Sequence, residues 1–108
     1  MDYENYWTGF ADLVSNGGFE MPRDAVGLIT MVVAFAGSYD EFFEKVGATA
    51  ESIGLKLIWI DEPETIADYL KKNEVAGHHE IFELLAEAER HPADVHCGDF
   101  FYYTHDDA

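Results

Sequence analysis

The segment that most constrains the fold is a pattern of strand, helix and strand that runs from Val26 to Ile60. Residues 26–35 are apolar on both faces and rich in branched side chains, which is typical of a central β-strand buried on both sides. A buried helix capped by Asp24 is the alternative interpretation. Residues 55–60 predict a second strand. A helix between two strands predicts a right-handed crossover that places the strands parallel to each other.

The helix within this pattern has the clearest local signal in the chain. Ser38 and Glu41 have the spacing of a capping box. Gly54 stands where a residue in the left-handed conformation would end the helix. The apolar residues between these ends recur at helical intervals and are Tyr39, Phe42, Phe43, Val46, Ala50 and Ile53. The sequence therefore predicts an amphipathic helix between Ser38 and Gly54.

The remaining patterns complete an α+β fold. Tyr6–Val14 reads as a strand, and Asp61–Pro63 begins a short helix with proline at its first position. A third helix is expected over about Gly77–Arg90, and a last strand over Val95–Thr104. We expect a single domain over residues 1–108, built as a two-layer sandwich of about four strands with two or three helices on one face. A ferredoxin-like topology is the most specific form of this prediction.

The charge balance is strongly acidic but belongs to a folded chain. The sequence has 22 acidic and 6 basic residues, a formal net charge of −16 at pH 7, and 48% apolar residues, including eight Phe, six Tyr and two Trp. A disordered acidic tail would contain few aromatic residues, so the charge is expected on the surface of a packed domain. Six scattered basic residues make no patch that neutralises phosphates, which disfavours direct nucleic-acid binding.

The sequence also predicts a soluble, cytoplasmic protein. Its longest apolar run, residues 25–37, has 13 residues, whereas a bilayer-spanning helix needs about 20, so no membrane interaction is expected. The amino terminus carries no basic region followed by an apolar stretch, the pattern of a secretory signal. A lone Cys97 excludes an internal disulfide and fits a reducing compartment.

Five carboxylates on the predicted helices form a candidate acidic face for a partner. Like charges three and four residues apart on a helix destabilise it slightly, so their presence needs another explanation. One interpretation is a solvated surface, as in proteins of salt-adapted hosts. The other is a non-enzymatic interaction module that binds a basic protein, such as an inhibitor, an immunity-type factor or a nucleic-acid mimic. The acidic face comprises Asp40, Glu44, Glu80, Glu83 and Glu87.

A cluster of possible metal ligands near the carboxyl end suggests a different class of function. His91, His96, Cys97 and His105 offer imidazole and thiolate groups, which suit zinc or a similar ion. Their spacing is poor, because no Cys-x-x-Cys or His-x-x-x-His pair occurs and adjacent strand residues point to opposite faces. A small metal-dependent or acid/base enzyme is the alternative that this cluster supports, although the preferred interpretation includes no cofactor.

Four consecutive aromatic residues, Phe100–Tyr103, alternate between the two faces of the last predicted strand. One pair must point away from the helices, where it is either covered by neighbours of the first strand or exposed as a patch. With an acidic rim, such a patch has the composition of a recognition site, and we expect Trp7, Phe100 and Tyr102 as its anchors. Use of the same strand as a homodimer interface is a further alternative.

Overall fold

The computed structural model describes residues 3–72 and 79–104 and confirms the α+β class. A 3-10 turn at Tyr3–Asn5 precedes five strands and three helices. The strands are β1 (Tyr6–Ser15), β2 (Gly27–Phe35), β3 (Leu55–Thr65), β4 (His96–Cys97) and β5 (Phe101–Tyr103); the helices are α1 (Tyr39–Ser52), α2 (Ile66–Lys72) and α3 (His79–Arg90). No helix among these described residues is long and apolar enough to cross a membrane.

The five strands form one antiparallel sheet in the order β3-β1-β2-β4, with β5 pairing with β2 beside β4. β2 and β3 both run antiparallel to β1, so they are parallel to each other but are separated by β1. The connection through α1 is therefore a crossover between two parallel strands, β2 and β3. These two strands do not pair with each other, because β1 lies between them. The topology also differs from the predicted ferredoxin-like order, which requires a helix between the first two strands. Here β1 and β2 pair directly over residues 6–13 of β1.

Helices cover both faces of the sheet, which corrects the prediction of helices on one face. On one side Val32 and Ala34 pack with Phe42 and Val46 of α1. On the other side Val33 packs with Ile66 of α2 and with the apolar residues of α3, which are Ile81, Leu84, Leu85 and Ala88. Successive β2 side chains point to opposite faces. Because Val32 and Ala34 on one face and Val33 on the other are apolar and fully buried, each face needs its own cover.

The predicted caps of α1 are confirmed. The Ser38 hydroxyl accepts a hydrogen bond from the Glu41 N–H at 3.2 Å, and the Glu41 carboxylate accepts one from the Gly37 N–H at 3.0 Å. Gly54 has a φ of 86° and follows the last helical turn. A Cβ at Gly54 would lie 2.3 Å from the carbonyl carbon of Gly18. This glycine therefore ends α1 and also lets the loop after β1 pass close to the start of β3.

The start of α2 was predicted too early. β3 continues through Pro63 to Thr65, and the Thr65 hydroxyl accepts a hydrogen bond from the Asp68 N–H at 3.1 Å. β3 is an edge strand, so Pro63 can lie in it without removing a needed donor. A register shift opposite Gly9 and a positive φ of 50° at Glu62 mark a β-bulge in this region. The sequence Asp-Glu-Pro therefore forms a bent strand end rather than a helix start.

The last predicted strand is divided into two short strands. Between β4 and β5, the Gly98 N–H donates to the Met31 carbonyl at 2.9 Å, and the buried Thr30 hydroxyl donates to the Gly98 carbonyl at 3.1 Å. The Glu80 carboxylate lies where a Cβ of residue 98 would stand, so a larger residue at this position would displace the Glu80 side chain. Despite the interruption, the segment follows β2 from Gly27 to Val33.

Candidate functional site: the exposed sheet face

The helices leave part of one sheet face uncovered. Along β2, the side chains on the α3 side change from buried at Val33 to half-buried at Met31 and exposed at Ile29. Four large apolar residues on this uncovered part have exposed fractions of 39% (Phe10), 39% (Ile29), 56% (Trp59) and 63% (Phe101). Large exposed apolar patches mark interaction surfaces more often than scattered single residues do. We call the patch, together with Asp12 and Asp61, the exposed sheet face.

The strand register places these residues in two adjacent rows. Trp59, Asp12, Ile29 and Phe101 lie opposite one another in turn across β3, β1, β2 and β5. In the next row Asp61 lies opposite Phe10, which lies opposite Met31. Directly opposed residues of an antiparallel pair project from the same face. Each of the two carboxylates is therefore held beside an aromatic ring by the backbone pairing itself.

Tyr103 holds Asp12 in place from the far side of β2. The Tyr103 hydroxyl donates a hydrogen bond of 2.5 Å to Oδ1 of Asp12. This hydrogen bond, with burial and the negative charge of Asp12, raises the pKa of Tyr103 to about 12. The tyrosine ring reaches Asp12 by lying over Gly27, where a Cβ would stand 2.3 Å from the hydroxyl oxygen. Glycine at this strand position thus permits the contact that orients the carboxylate.

Two open clefts meet at Trp59, and both contain carboxylates. One, of about 350 Å³, is lined by Phe10, Asp12, Ile29, Trp59 and Asp61. The other, of about 340 Å³, is lined by Trp59 and, from α1, by Tyr39, Asp40, Phe43 and Glu44. Trp59 is therefore flanked at the β3 edge by an acidic cleft on each face of the sheet.

The five predicted acidic residues do not form one surface. Asp40 and Glu44 are exposed on α1, beside Trp59. Glu80 and Glu83 lie on α3, which packs on the same side of the sheet as the exposed sheet face and opposite to α1, and they line a separate cleft with Cys97, Gly98 and Asp99. Glu87 forms an ion pair with Arg90 on α3. The structure thus brings the α1 carboxylates to one exposed aromatic residue, Trp59, whereas two of the α3 carboxylates line a different cleft.

The predicted metal ligands are only partly brought together. The His91 and His96 rings have centroids 6.3 Å apart, and Nε2 of His96 lies 3.1 Å from the backbone oxygen of His91. Cys97 is an exposed residue, yet desolvation raises the pKa of its thiol, which favours the protonated form over the metal-binding thiolate. His105 lies outside the described residues. Within residues 3–72 and 79–104, no group of three potential ligands is arranged to hold a metal ion.

The predicted aromatic anchors lie on the α1 side of the sheet. Trp7 stacks on Phe42 with ring centroids 6.0 Å apart, and Phe100 packs against the same core and contacts Phe19. Both contribute to packing rather than to an open surface. Tyr102 is 41% exposed, but it lies opposite Leu28 and faces away from the exposed sheet face. Its neighbour Phe101 is the residue of the aromatic run that is most exposed.

Comparisons with known proteins add no relative. The chain matches no known protein family, no curated protein and no solved structure.

Proposed function

We propose that the protein is a non-enzymatic interaction module that binds a basic protein partner through the exposed sheet face and the adjoining carboxylates of α1. The observation that carries this proposal is the patch of exposed apolar side chains with Asp12 and Asp61 among them. An apolar centre supplies affinity, and flanking charge selects the partner and speeds its association.

The carboxylates of this region are available for a partner's cations. Among the described residues, the ion pairs join Lys71 with Asp68, Lys72 with Glu64 and Arg90 with Glu87. None of these pairs involves Asp12, Asp61 or the α1 carboxylates. A basic partner that covers the region would therefore form new charge pairs without breaking existing ones.

Charge also favours a basic partner over a second copy of the chain. Each copy has a formal net charge of −16, so two copies that bring their exposed sheet faces together repel each other at low salt. A cationic protein is attracted by the same charge. An acidic domain that covers a basic surface acts as an inhibitor of that surface, and we place this activity, of inhibitor or immunity type, in the cytoplasm. The free Cys97 fits a reducing compartment.

The test uses immobilised protein to capture a partner from native lysate, followed by identification and direct binding of the purified partner. We expect a basic protein whose affinity falls as ionic strength rises from about 0.01 M to about 0.15 M, because the screening length shortens from about 30 Å to about 8 Å. Trp59→Ala should weaken binding by about tenfold or more, as expected for a central aromatic anchor.

The matched control changes charge at a different place. Asp61→Asn and Glu83→Gln each remove one exposed carboxylate, but only Asp61 lies on the exposed sheet face. We expect Asp61→Asn to weaken binding and Glu83→Gln to leave it nearly unchanged. Binding that is indifferent to salt, or equally sensitive to both variants, contradicts the proposal. If light scattering shows that the chain self-associates and that this depends on Trp59, the exposed sheet face is a homodimer interface and not the site of a basic partner.

A further inference from the structure

We propose that the cleft between Phe10, Asp12, Trp59 and Asp61 receives an arginine side chain of the partner. This inference rests on the proposed function and specifies the group that the exposed sheet face recognises. It assigns the recognition to the β3 side of the exposed sheet face, where aromatic rings and carboxylates alternate.

The cleft has the size and lining for one long cationic side chain. Its volume of about 350 Å³ is at the lower end of the range for small-molecule pockets, which is about 300–1,000 Å³. Phe10 and Ile29 provide apolar contacts for an aliphatic stem, and two carboxylates provide acceptors for a charged end. A long cationic residue buries its stem and keeps its charged group near acceptors in the same way at other protein surfaces.

The arrangement favours a guanidinium group over an ammonium group. Tyr103 engages Oδ1 of Asp12, which fixes the carboxylate, and Asp12 lines the cleft. Asp61 lies on the neighbouring strand, one row further along the sheet. A planar guanidinium can donate to two separated acceptors and stack on an aromatic face, whereas an ammonium is a compact point charge that cannot stack. The exposed Trp59 supplies such an aromatic face.

The experiment uses three small probes, the N-acetyl amides of arginine, lysine and citrulline, at millimolar concentrations. Binding is followed by two-dimensional NMR of the full chain labelled with ¹⁵N. The chain has two tryptophans, and the indole N–H signal of Trp7, which packs in the core, serves as an internal control. Trp59→Phe identifies which signal belongs to Trp59.

We expect arginine amide to shift the Trp59 signal and to leave the Trp7 signal in place. Lysine amide should bind at least about threefold more weakly, and citrulline amide, which has the shape of arginine without its charge, should bind least. Asp61→Asn should weaken arginine binding by about three- to fivefold, the upper range for an exposed charge pair. Glu83→Gln should not change it.

Three results would overturn the inference: equal binding of arginine and lysine, binding of citrulline as strong as that of arginine, or no movement of the Trp59 signal. None of these affects the capture of a basic protein that depends on Trp59 and Asp61, so the proposed function would stand. Conversely, arginine binding in the cleft without any partner that depends on Trp59 would contradict the proposed function alone.

Discussion

Replacement of Tyr103 by phenylalanine tests the contact that orients Asp12. The change removes one hydroxyl and its 2.5 Å hydrogen bond to Asp12, while the ring that lies over Gly27 is retained. The difference in stability between the two proteins therefore measures the hydrogen bond with little change in packing. A hydrogen bond to a charged group contributes about 1.5–3 kcal/mol. Both residues are half-buried, so water can donate to Asp12 in place of the lost hydroxyl. We therefore expect the free energy of unfolding to fall by about 1–2 kcal/mol at pH 7.

The pH dependence gives the prediction a second, independent readout. The pKa of Tyr103 is raised from 10.0 to about 12 in the folded protein, so folding favours the protonated hydroxyl. This contribution is fully present below the unfolded pKa and is lost as the pH rises through the folded pKa. The stability difference between wild type and Tyr103→Phe should therefore be constant up to about pH 9 and fall by roughly half near pH 11, midway between the two pKa values.

The assay is urea-induced unfolding of both proteins, followed by circular dichroism between pH 7 and pH 11. Tyr102→Phe is the matched control, because Tyr102 faces the other side of the sheet and no hydrogen bond among the described residues involves its hydroxyl. Equal stability of wild type and Tyr103→Phe at pH 7 would refute the reasoning. So would a difference that persists undiminished at pH 11.

Two further predictions concern the backbone and the uneven cover of the sheet, and both are measured as changes in the free energy of unfolding. Gly54→Ala should cost about 1–3 kcal/mol more than Gly17→Ala. Both glycines have a positive φ, but a Cβ at Gly54 meets backbone atoms, whereas at Gly17 it meets nothing within 4 Å; equal losses would contradict the close approach to Gly18. Val33→Ala should cost about 2 kcal/mol, because Val33 is fully buried. Ile29→Ala, on the same face of the same strand, should cost less than about 1 kcal/mol, and equal costs would mean that this end of the sheet is covered.

The elements that could be predicted from sequence are those with a complete local signal. The helix α1 has a cap at each end and an apolar face between them, so nothing distant is needed to specify it. The boundary between β3 and α2 was predicted wrongly because Asp61, Glu62 and Pro63 suit a helix start and a bulged edge strand equally well. The choice is made by pairing with β1, which is a contact between distant parts of the chain.

The error in layer arrangement has a different cause, because the necessary observation was already in the sequence. Residues 26–35 are apolar on both faces, and a central strand of that kind needs cover on both sides. Helices on one face alone would have left Val33 and its neighbours in water. The burial pattern of a single strand therefore constrains the number of layers more strongly than the order of the elements along the chain does.

The exposed sheet face could be predicted only in part. Alternation along Phe100–Tyr103 indicated that the four aromatic residues divide between the two faces of the sheet. The expected anchors Phe100 and Tyr102 lie on the α1 side, whereas Phe101 and Tyr103 lie on the side of the exposed sheet face. Trp59 and Asp12 could not be associated with this pair in advance. They meet because β1 lies between β2 and β3, and strand order depends on long-range pairing that no local pattern specifies.

The net negative charge of the chain counters the tendency of the exposed sheet face to self-associate. An open apolar sheet face next to an edge strand invites association between copies of the chain. The chain counters this tendency with a formal net charge of −16, and two of the carboxylates lie within the apolar patch itself. Two copies that bring their apolar surfaces together therefore also bring these carboxylates together, and they repel each other. The same carboxylates attract a cationic partner, so one arrangement both discourages self-association and selects the protein that covers the face.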